Sequence, residues 1–191
     1  AEPLASQYAA NLYDGEIAAV DQVVGQILRQ LKAAGFYDRA AILLLSDHGE
    51  GLGEHGEDGH GIFLYRQTLQ VPLLIKLPGH RFAGTSVATV VPLSDVHATI
   101  LELAGVRPRD DARSLLRLLP GGGPDRDVYS ETYTPRLHFG WSELTSLISN
   151  SHHYVDGPDP ELFDLIADAE EVRNLWAEER RVGSAMATRL A

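Results

Sequence analysis

The sequence predicts an α/β protein in which a sheet segment with helices is followed by a small antiparallel sheet and a final helix. Two short apolar runs, at residues 40–45 and 71–75, lack alternation, which is typical of strands buried on both faces. Amphipathic helical stretches accompany these runs, and four shorter strand-like stretches follow residue 127. Helices combined with buried strands favour a layered α/β fold, and consecutive short strands favour antiparallel pairing.

Two helices are predicted in the first half of the chain. The first covers residues 8–34 and stops before Gly35. Its apolar positions recur at helical spacing: Ile17, Val20, Val24, Ile27, Leu28 and Leu31. The second begins near Leu93 with Asp95 as a plausible N-cap, and Gly105 is its stop.

Short strands broken by turn-forming residues dominate the C-terminal third. Strands are predicted at residues 128–133, 143–149, 152–155 and 161–165, separated by Asn-Ser, Asp-Gly and Pro-Asp-Pro turns. A last helix is predicted over residues 170–190. We therefore expect a small antiparallel sheet packed by the C-terminal helix.

Composition divides the chain into three parts. Residues 107–126 are rich in Pro, Gly, Arg and Asp and are predicted to form a surface linker. They would join an α/β part, residues 1–106, to a small C-terminal subdomain, residues 127–191. Within that subdomain, His152 and His153 follow an Asn-Ser turn and are expected to face solvent.

Charge and composition exclude several classes of function. The 191 residues carry a net charge of −11, which disfavours a nucleic-acid partner because phosphates are repelled. No apolar run approaches the roughly 18 residues that span a bilayer, so no membrane span is predicted. The chain has no cysteine, which excludes a thiolate zinc site and a cysteine nucleophile within it. The composition does not indicate a compartment.

The chemistry is concentrated in the loop at residues 45–61. It holds three histidines, five carboxylates and six glycines, directly after a predicted strand. Ligands of open α/β sheets bind at the carboxyl ends of strands, and a turn at Gly49 would let Asp47 and His48 reach one ion. Turn-forming glycines with solvated carboxylates would explain the same residues. Residue chemistry alone leaves both interpretations open.

Four segments together resemble the sulfatase branch of the alkaline phosphatase superfamily. The loop Ser-Asp-His-Gly-Glu-Gly-Leu-Gly-Glu-His-Gly at residues 46–56 is the most specific of them. The segments at residues 13–17, 94–105 and 161–175 match further family motifs, in order along nearly the whole chain. The resemblance implies a sulfatase-like, alkaline-phosphatase-like sheet segment for the α/β part.

The resemblance also implies roles for three residues of this loop. Asp47 and His48 match the pair that binds the active-site divalent cation, which would be Ca, Mn or Zn. His60 matches the catalytic position that contacts the anionic ester group and helps the leaving oxygen to depart. Imidazoles at positions 48 and 60 look more like phosphonate monoester hydrolases and phosphoethanolamine transferases. An imidazole ligand also shifts metal preference away from calcium.

The nucleophile of this family is not found in the chain. It lies in an upstream Cys/Ser-x-Pro-x-Arg motif or is a Thr/Ser equivalent, and no such motif occurs here. The expectation is therefore a C-terminal portion of a metal-dependent sulfatase (a sulfuric ester hydrolase), catalytically incomplete without a nucleophile-bearing N-terminal half. That half and a sulfate, phosphate or phosphonate ester would be its partners. An exposed face at the position of that half would drive self-association into a homo-oligomer.

Two alternative functions stay open at this stage. The same machinery could act on a phosphonate or phosphate diester, or transfer phosphoethanolamine. The chain could instead be a non-catalytic binding or assembly module.

Outside the loop core, Arg136 and His138 are candidate substrate-binding residues. They lie among aromatic residues at positions 133–141, a composition that suits an anionic or sugar-like substrate but equally a packed aromatic turn. His55 is expected to order the loop rather than bind metal.

Overall fold

The architecture is that of a computed structural model, which describes residues 12–107, 113–119 and 121–191. These residues form two compact units. The first unit comprises residues 12–43 and 75–83, and the second comprises residues 44–74 and the described residues from 84 onwards. The division at the predicted linker, residues 107–126, stays a prediction. Part of that linker packs into the fold, because Leu115 is buried and its amide donates to Thr99 Oγ1 at 2.9 Å.

The first helix, α1, spans Leu12–Ala33 and confirms the predicted helix over the residues that the structure describes. It ends before Gly35, which has a φ of 71° and provides the left-handed turn that stops a helix. None of its residues is buried, and Ile17, Val20 and Ile27 are each more than half exposed. The other predicted apolar positions, Val24, Leu28 and Leu31, are half-buried, so the described residues cover this stripe only in part.

The two predicted inner strands are present, but the expectation that both faces are buried is wrong. Strand β1 spans Ile42–Leu45 and β4 spans Leu73–Lys76, and the two form a two-stranded sheet. Leu44, Leu45 and Leu74 are exposed. A two-stranded sheet gives each strand a single neighbour, and no second layer of described residues covers these side chains.

The helix near residue 94 is confirmed, and its predicted N-cap is wrong. Helix α3 spans Ser94–Leu103 and ends before Gly105, which has a φ of 71°. Asp95 lies inside the first turn, where its buried carboxylate pairs with the guanidinium of Arg126. The carboxylate of Asp95 therefore forms an ion pair with Arg126, which is distant in sequence, and does not cap the helix as predicted.

The predicted antiparallel sheet is confirmed strand by strand. Its strands pair in chain order: β5 Val128–Thr132, β6 Leu144–Ile148, β7 His152–Asp156 and β8 Glu161–Asp164. Each neighbouring pair is antiparallel. The hydrophobic core lies on this sheet and consists of Leu147, Tyr154, Leu162, Leu175 and Met186.

The final helix is shorter than predicted. Helix α5 spans Arg180–Leu190, and residues 165–179 form turns instead of helix. Asp164 and Asp168 accept hydrogen bonds from backbone amides two to five residues ahead, which competes with helix formation. Glu171, with a φ of 57°, cannot continue a helix.

The expectation that His152 and His153 face solvent is also wrong. His153 is completely buried, and the side chain of His152 is only 22% exposed. Strand β7 lies between two other strands, and His153, Tyr154 and Val155 are all buried, so both faces of the strand are covered.

Within the described residues, none of the helices is long and apolar enough to cross a membrane.

Candidate active site

The glycine-rich loop after β1 folds into a small hairpin. Strand β2, Gly51–Leu52, pairs antiparallel with β3, Asp58–Gly59, around a 3-10 turn at Glu54–Gly56. Gly53 has a φ of 107°, a conformation open to glycine and rarely to other residues. The short helix α2, Arg66–Leu69, follows the hairpin. The loop therefore has a defined backbone on which its acidic and imidazole side chains are held.

Helix α2 anchors the start of this hairpin through backbone contacts. The amide of Gly49 donates to the carbonyl of Thr68 at 2.9 Å, and the amide of Glu50 donates to that of Gln67 at 3.1 Å. A Cβ atom added at Gly49 would lie 2.0 Å from the Gln67 carbonyl oxygen. Only glycine lets the two backbones approach this closely.

Asp47 and His48 converge at the end of β1. The amide of His48 donates to Asp47 Oδ1 at 3.1 Å, and His48 Nδ1 donates to the carbonyl of Gly49 at 2.8 Å. Because a carbonyl only accepts, that bond leaves the lone pair of the neutral ring on Nε2. His48 Nε2 lies 3.8 Å from Asp47 Oδ1, and both side chains are exposed. Two ligand bonds of about 2.0–2.2 Å can join atoms at this separation to one ion.

His60 lies against this pair. Its ring centroid is 3.9 Å from that of His48, with 32° between the ring planes. Its Nδ1 is 3.0 Å from Glu50 Oε1, so the carboxylate of Glu50 orients the ring and Nε2 is the nitrogen left for a ligand. The structure thus brings together the three residues singled out in the loop, and it adds Glu50, which the sequence analysis did not single out.

Glu57 is a second loop residue that the sequence analysis missed. It is buried, and its carboxylate accepts the amides of Ile62 at 2.8 Å and Phe63 at 3.3 Å. These bonds hold the chain just after His60. Nothing in the sequence distinguishes this buried carboxylate from the solvated ones on either side of it.

His55 orders the loop, as expected. Its Nε2 donates to the carbonyl of Glu170 at 3.0 Å, and its ring stacks on Tyr65 at 3.8 Å. Tyr65 in turn donates its hydroxyl to Glu161 at 2.9 Å. Burial, together with the nearby Glu161 carboxylate, raises the pKa of Tyr65, so this hydroxyl keeps its proton.

The residues predicted to contact substrate lie on the short helix α4, Thr134–Phe139. Arg136 and His138 are both exposed, and Arg136 pairs with Glu143 at 3.2 Å. At the base of the helix, Thr132 Oγ1 donates to the carbonyl of Gly61 at 2.5 Å. The helix is therefore tethered beside the residue that follows His60, and substrate contact by Arg136 and His138 stays a prediction.

The donor set fits a divalent cation as part of a site. No group of three His, Cys, Asp or Glu side chains in the described part of the chain could hold a metal ion. Asp47 and His48 offer one carboxylate oxygen and one imidazole nitrogen, which suit Mn or Zn. A closed shell needs at least four ligands, so these residues can serve as two of them.

The site thus consists of an acid–imidazole pair at the end of a strand in an α/β segment, with a second imidazole beside it. A family model named Sulfatase matches residues 3–106, which is more than half of the chain. The chain therefore belongs to the sulfatase family.

Three similar proteins illustrate this membership. Arylsulfatase K of Bos taurus is 30% identical over 93% of this chain. The crystal structure of a phosphonate monoester hydrolase of Agrobacterium radiobacter is 30% identical over 93% of the chain, with a TM-score of 0.77. A structure in complex with its substrate D-glucosamine-2-N,6-O-disulfate is 25% identical over 92%, with a TM-score of 0.81. The chain spans 35%, 39% and 38% of these three proteins, respectively.

Proposed function

We propose that the chain supplies one side of the active site of a metal-dependent sulfuric ester hydrolase. The observation that carries the proposal is the convergence of three side chains. His48 Nε2 lies 3.8 Å from Asp47 Oδ1, and the ring of His60 lies 3.9 Å from that of His48. An ion-binding pair and a proton donor side by side are two of the elements that hydrolysis of an anionic ester requires, the third being a nucleophile.

Each of these side chains has a separate role in the proposal. Asp47 Oδ1 and His48 Nε2 hold a divalent cation, which when bound neutralises charge that develops on the ester oxygens. Glu50 accepts from His60 Nδ1 and directs Nε2 to the leaving oxygen. In the imidazolium form Nε2 carries the proton that it gives to this oxygen, and the ring is left neutral. The bond from His48 Nδ1 to the Gly49 carbonyl selects the tautomer of the neutral ring that has its lone pair on Nε2, and it orients that nitrogen.

The nucleophile belongs, in this proposal, to residues outside the 191 of this sequence. The chain has no cysteine and no Ser-x-Pro-x-Arg motif. We expect the isolated chain to bind metal weakly and to hydrolyse no ester, and catalysis to require the full coding product that contains it.

The organic part of the substrate is proposed to lie along helix α4. Arg136 and His138 provide cationic or hydrogen-bonding groups, and the exposed rings of Phe139 and Trp141, 5.0 Å apart, provide a stacking surface. The substrate of one structural relative, D-glucosamine-2-N,6-O-disulfate, supports a sulfated sugar as the substrate class.

A phosphonate monoester is the second candidate substrate. The imidazoles at His48 and His60, together with the 30% identity to a phosphonate monoester hydrolase, favour it. Turnover of aryl sulfates and of phenyl phosphonate monoesters by the full coding product separates the two. A higher kcat/KM for aryl sulfate supports the first proposal, and exclusive phosphonate turnover would replace it with the second.

Metal titration of the chain itself tests the ion-binding pair. We expect Asp47→Ala and His48→Ala each to weaken Mn or Zn binding by about tenfold or more in isothermal titration calorimetry. The chain offers a matched control, since Asp38 Oδ1 lies 3.1 Å from His80 Nε2 in another exposed acid–imidazole pair. Asp38→Ala and His80→Ala should leave the affinity unchanged. Equal losses at both pairs would show non-specific binding and contradict the proposal.

A further inference from the structure

We propose that Glu171 is a positioning residue for the active-site loop. The roles assigned to Asp47, His48 and His60 rest on the function proposed above, whereas the physical connection rests on geometry alone. Glu171 lies on a turn after β8 and is 2% exposed. Its φ of 57° is a left-handed conformation that residues other than glycine and asparagine adopt rarely. A buried acid kept in such a conformation points to a specific use of its carboxylate.

Both oxygens of this carboxylate are engaged. Oε1 lies 2.6 Å from Nδ1 of His153 in the central strand β7. Oε2 accepts the backbone amide of Arg66 at 2.7 Å, at the first residue of helix α2. The contact with Arg66 spans 105 positions of the chain, and the contact with His153 spans 18. Together they tie the start of α2 to the packed C-terminal sheet.

The two residues before Glu171 hold the same loop through their carbonyls. Ala169 accepts from Arg66 Nη1 at 3.2 Å, and Glu170 accepts from His55 Nε2 at 3.0 Å. The turn at residues 169–171 therefore contacts the tip of the hairpin at His55 and the start of α2 at Arg66. Three consecutive residues thus accept hydrogen bonds from the hairpin and from α2, and these bonds fix both against the C-terminal sheet.

The connection continues from Arg66 to the chemical groups. Helix α2 presents the carbonyls of Gln67 and Thr68 to the amides of Glu50 and Gly49. Because a Cβ at Gly49 would lie only 2.0 Å from the Gln67 oxygen, this junction has no free space, and a shift of α2 must move the loop. Glu50 lies 3.0 Å from His60 Nδ1, so the position of Glu50 sets the position of the His60 ring.

His153, in strand β7, contacts the other oxygen of the Glu171 carboxylate. It is completely buried, and in the described part of the chain its Nε2 has no hydrogen-bond partner. A buried unpaired polar atom is costly, so the benefit of His153 must lie in its other nitrogen, which contacts Glu171. The imidazole orients the carboxylate toward Arg66.

Amide-resolved hydrogen exchange on this chain tests the proposal. In Glu171→Ala we expect the Gly49, Glu50 and Arg66 amides to exchange about tenfold faster than in the unmodified chain, relative to the amides of β6 and β7. Glu171→Gln should restore most of the protection, because its amide oxygen can still accept from Arg66. Asp95→Asn, which removes another buried acid, should leave the ratio of loop to sheet exchange unchanged.

Glu171→Gly keeps the proposal testable if the alanine variant does not fold. Glycine relieves the left-handed strain but lacks the carboxylate, so it should show the same selective loss in the loop. Uniform acceleration of all amides in the alanine and glycine variants, or no rescue by glutamine, would overturn the proposal. Exchange requires neither metal nor turnover. Its outcome is therefore independent of the titration of Asp47 and His48 that tests the proposed function.

Discussion

The active-site loop and the C-terminal sheet of this chain are held by different forces. The sheet is stabilised by apolar side chains that pack on one another, with Tyr154, Leu162 and Met186 almost fully buried. The loop around Asp47 and His48 is held by backbone hydrogen bonds and carboxylates, while its chemical side chains stay exposed. Burial thus determines whether the chain folds, and polar contacts determine where its reactive groups lie.

The largest effect is expected from a core truncation in the sheet. Leu162 is 0% exposed, and Leu162→Ala should lower the free energy of unfolding by about 2–5 kcal/mol through lost burial and a residual cavity. Urea unfolding followed by circular dichroism measures this change. Leu137→Ala is the matched control, because Leu137 is 76% exposed and should change stability by no more than about 0.5 kcal/mol. Comparable losses in both variants would mean that the sheet is not the stabilising core.

Gly49→Ala should perturb the loop most strongly. The new methyl group would overlap the Gln67 carbonyl, and relieving that overlap should cost about 1–3 kcal/mol. Metal affinity at Asp47 and His48 should fall in the same variant, as measured by calorimetric titration. Gly121→Ala is the control, since a Cβ there meets nothing within 4 Å. Unchanged metal affinity in Gly49→Ala would show that the junction with α2 does not position the ligands.

A smaller and local effect is expected at Glu57. Glu57→Gln keeps one acceptor oxygen but loses the charge that strengthens the bonds to the Ile62 and Phe63 amides, at a cost of about 1 kcal/mol. Hydrogen exchange at these two amides should accelerate while the sheet amides stay protected. Asp58→Asn, in the exposed neighbouring position, serves as the control. Acceleration spread evenly over the sheet would contradict a local role.

The smallest effect concerns pH and the turn after β8. Hydrogen bonds from the amides of Ala167 and Ile166 lower the pKa of Asp164 below its ordinary value of 3.8. A carboxylate with a depressed folded pKa stabilises the protein fully above its unfolded pKa, and this contribution is lost as the pH falls through the folded pKa. Asp164→Asn should therefore flatten the fall of Tm below about pH 4. If Tm falls equally steeply with acid pH in the unmodified chain and in Asp164→Asn, Asp164 does not contribute to acid destabilisation and the prediction is wrong.

Much of the sheet could be predicted from the sequence, because its signals are local. Turn-forming pairs between apolar stretches set each of the four strands to within about two residues. Asp47, His48 and His60 could be singled out because their residue types and their place after a strand carry chemical meaning. Long-range contacts decided the rest. Asp95 pairs with Arg126 instead of capping its helix. Glu171, predicted to be helical, is buried and accepts from the backbone amide of Arg66 while it contacts His153.

The burial of the apolar runs could not be predicted from their composition. Leu44 and Leu74 belong to continuous apolar stretches and are nevertheless exposed. An apolar run indicates a strand whose side chains can be buried. Whether they are buried depends on which other elements pack against the strand.

The close packing of the His48 and His60 rings, tilted by 32°, couples the positions of the two side chains of the proposed chemistry. With their ring centroids 3.9 Å apart, neither imidazole can tilt far without pushing the other. A ligand that rotates the ring of His48, in the proposed ion-binding pair, therefore also displaces the ring of His60, the proposed proton donor to the leaving oxygen.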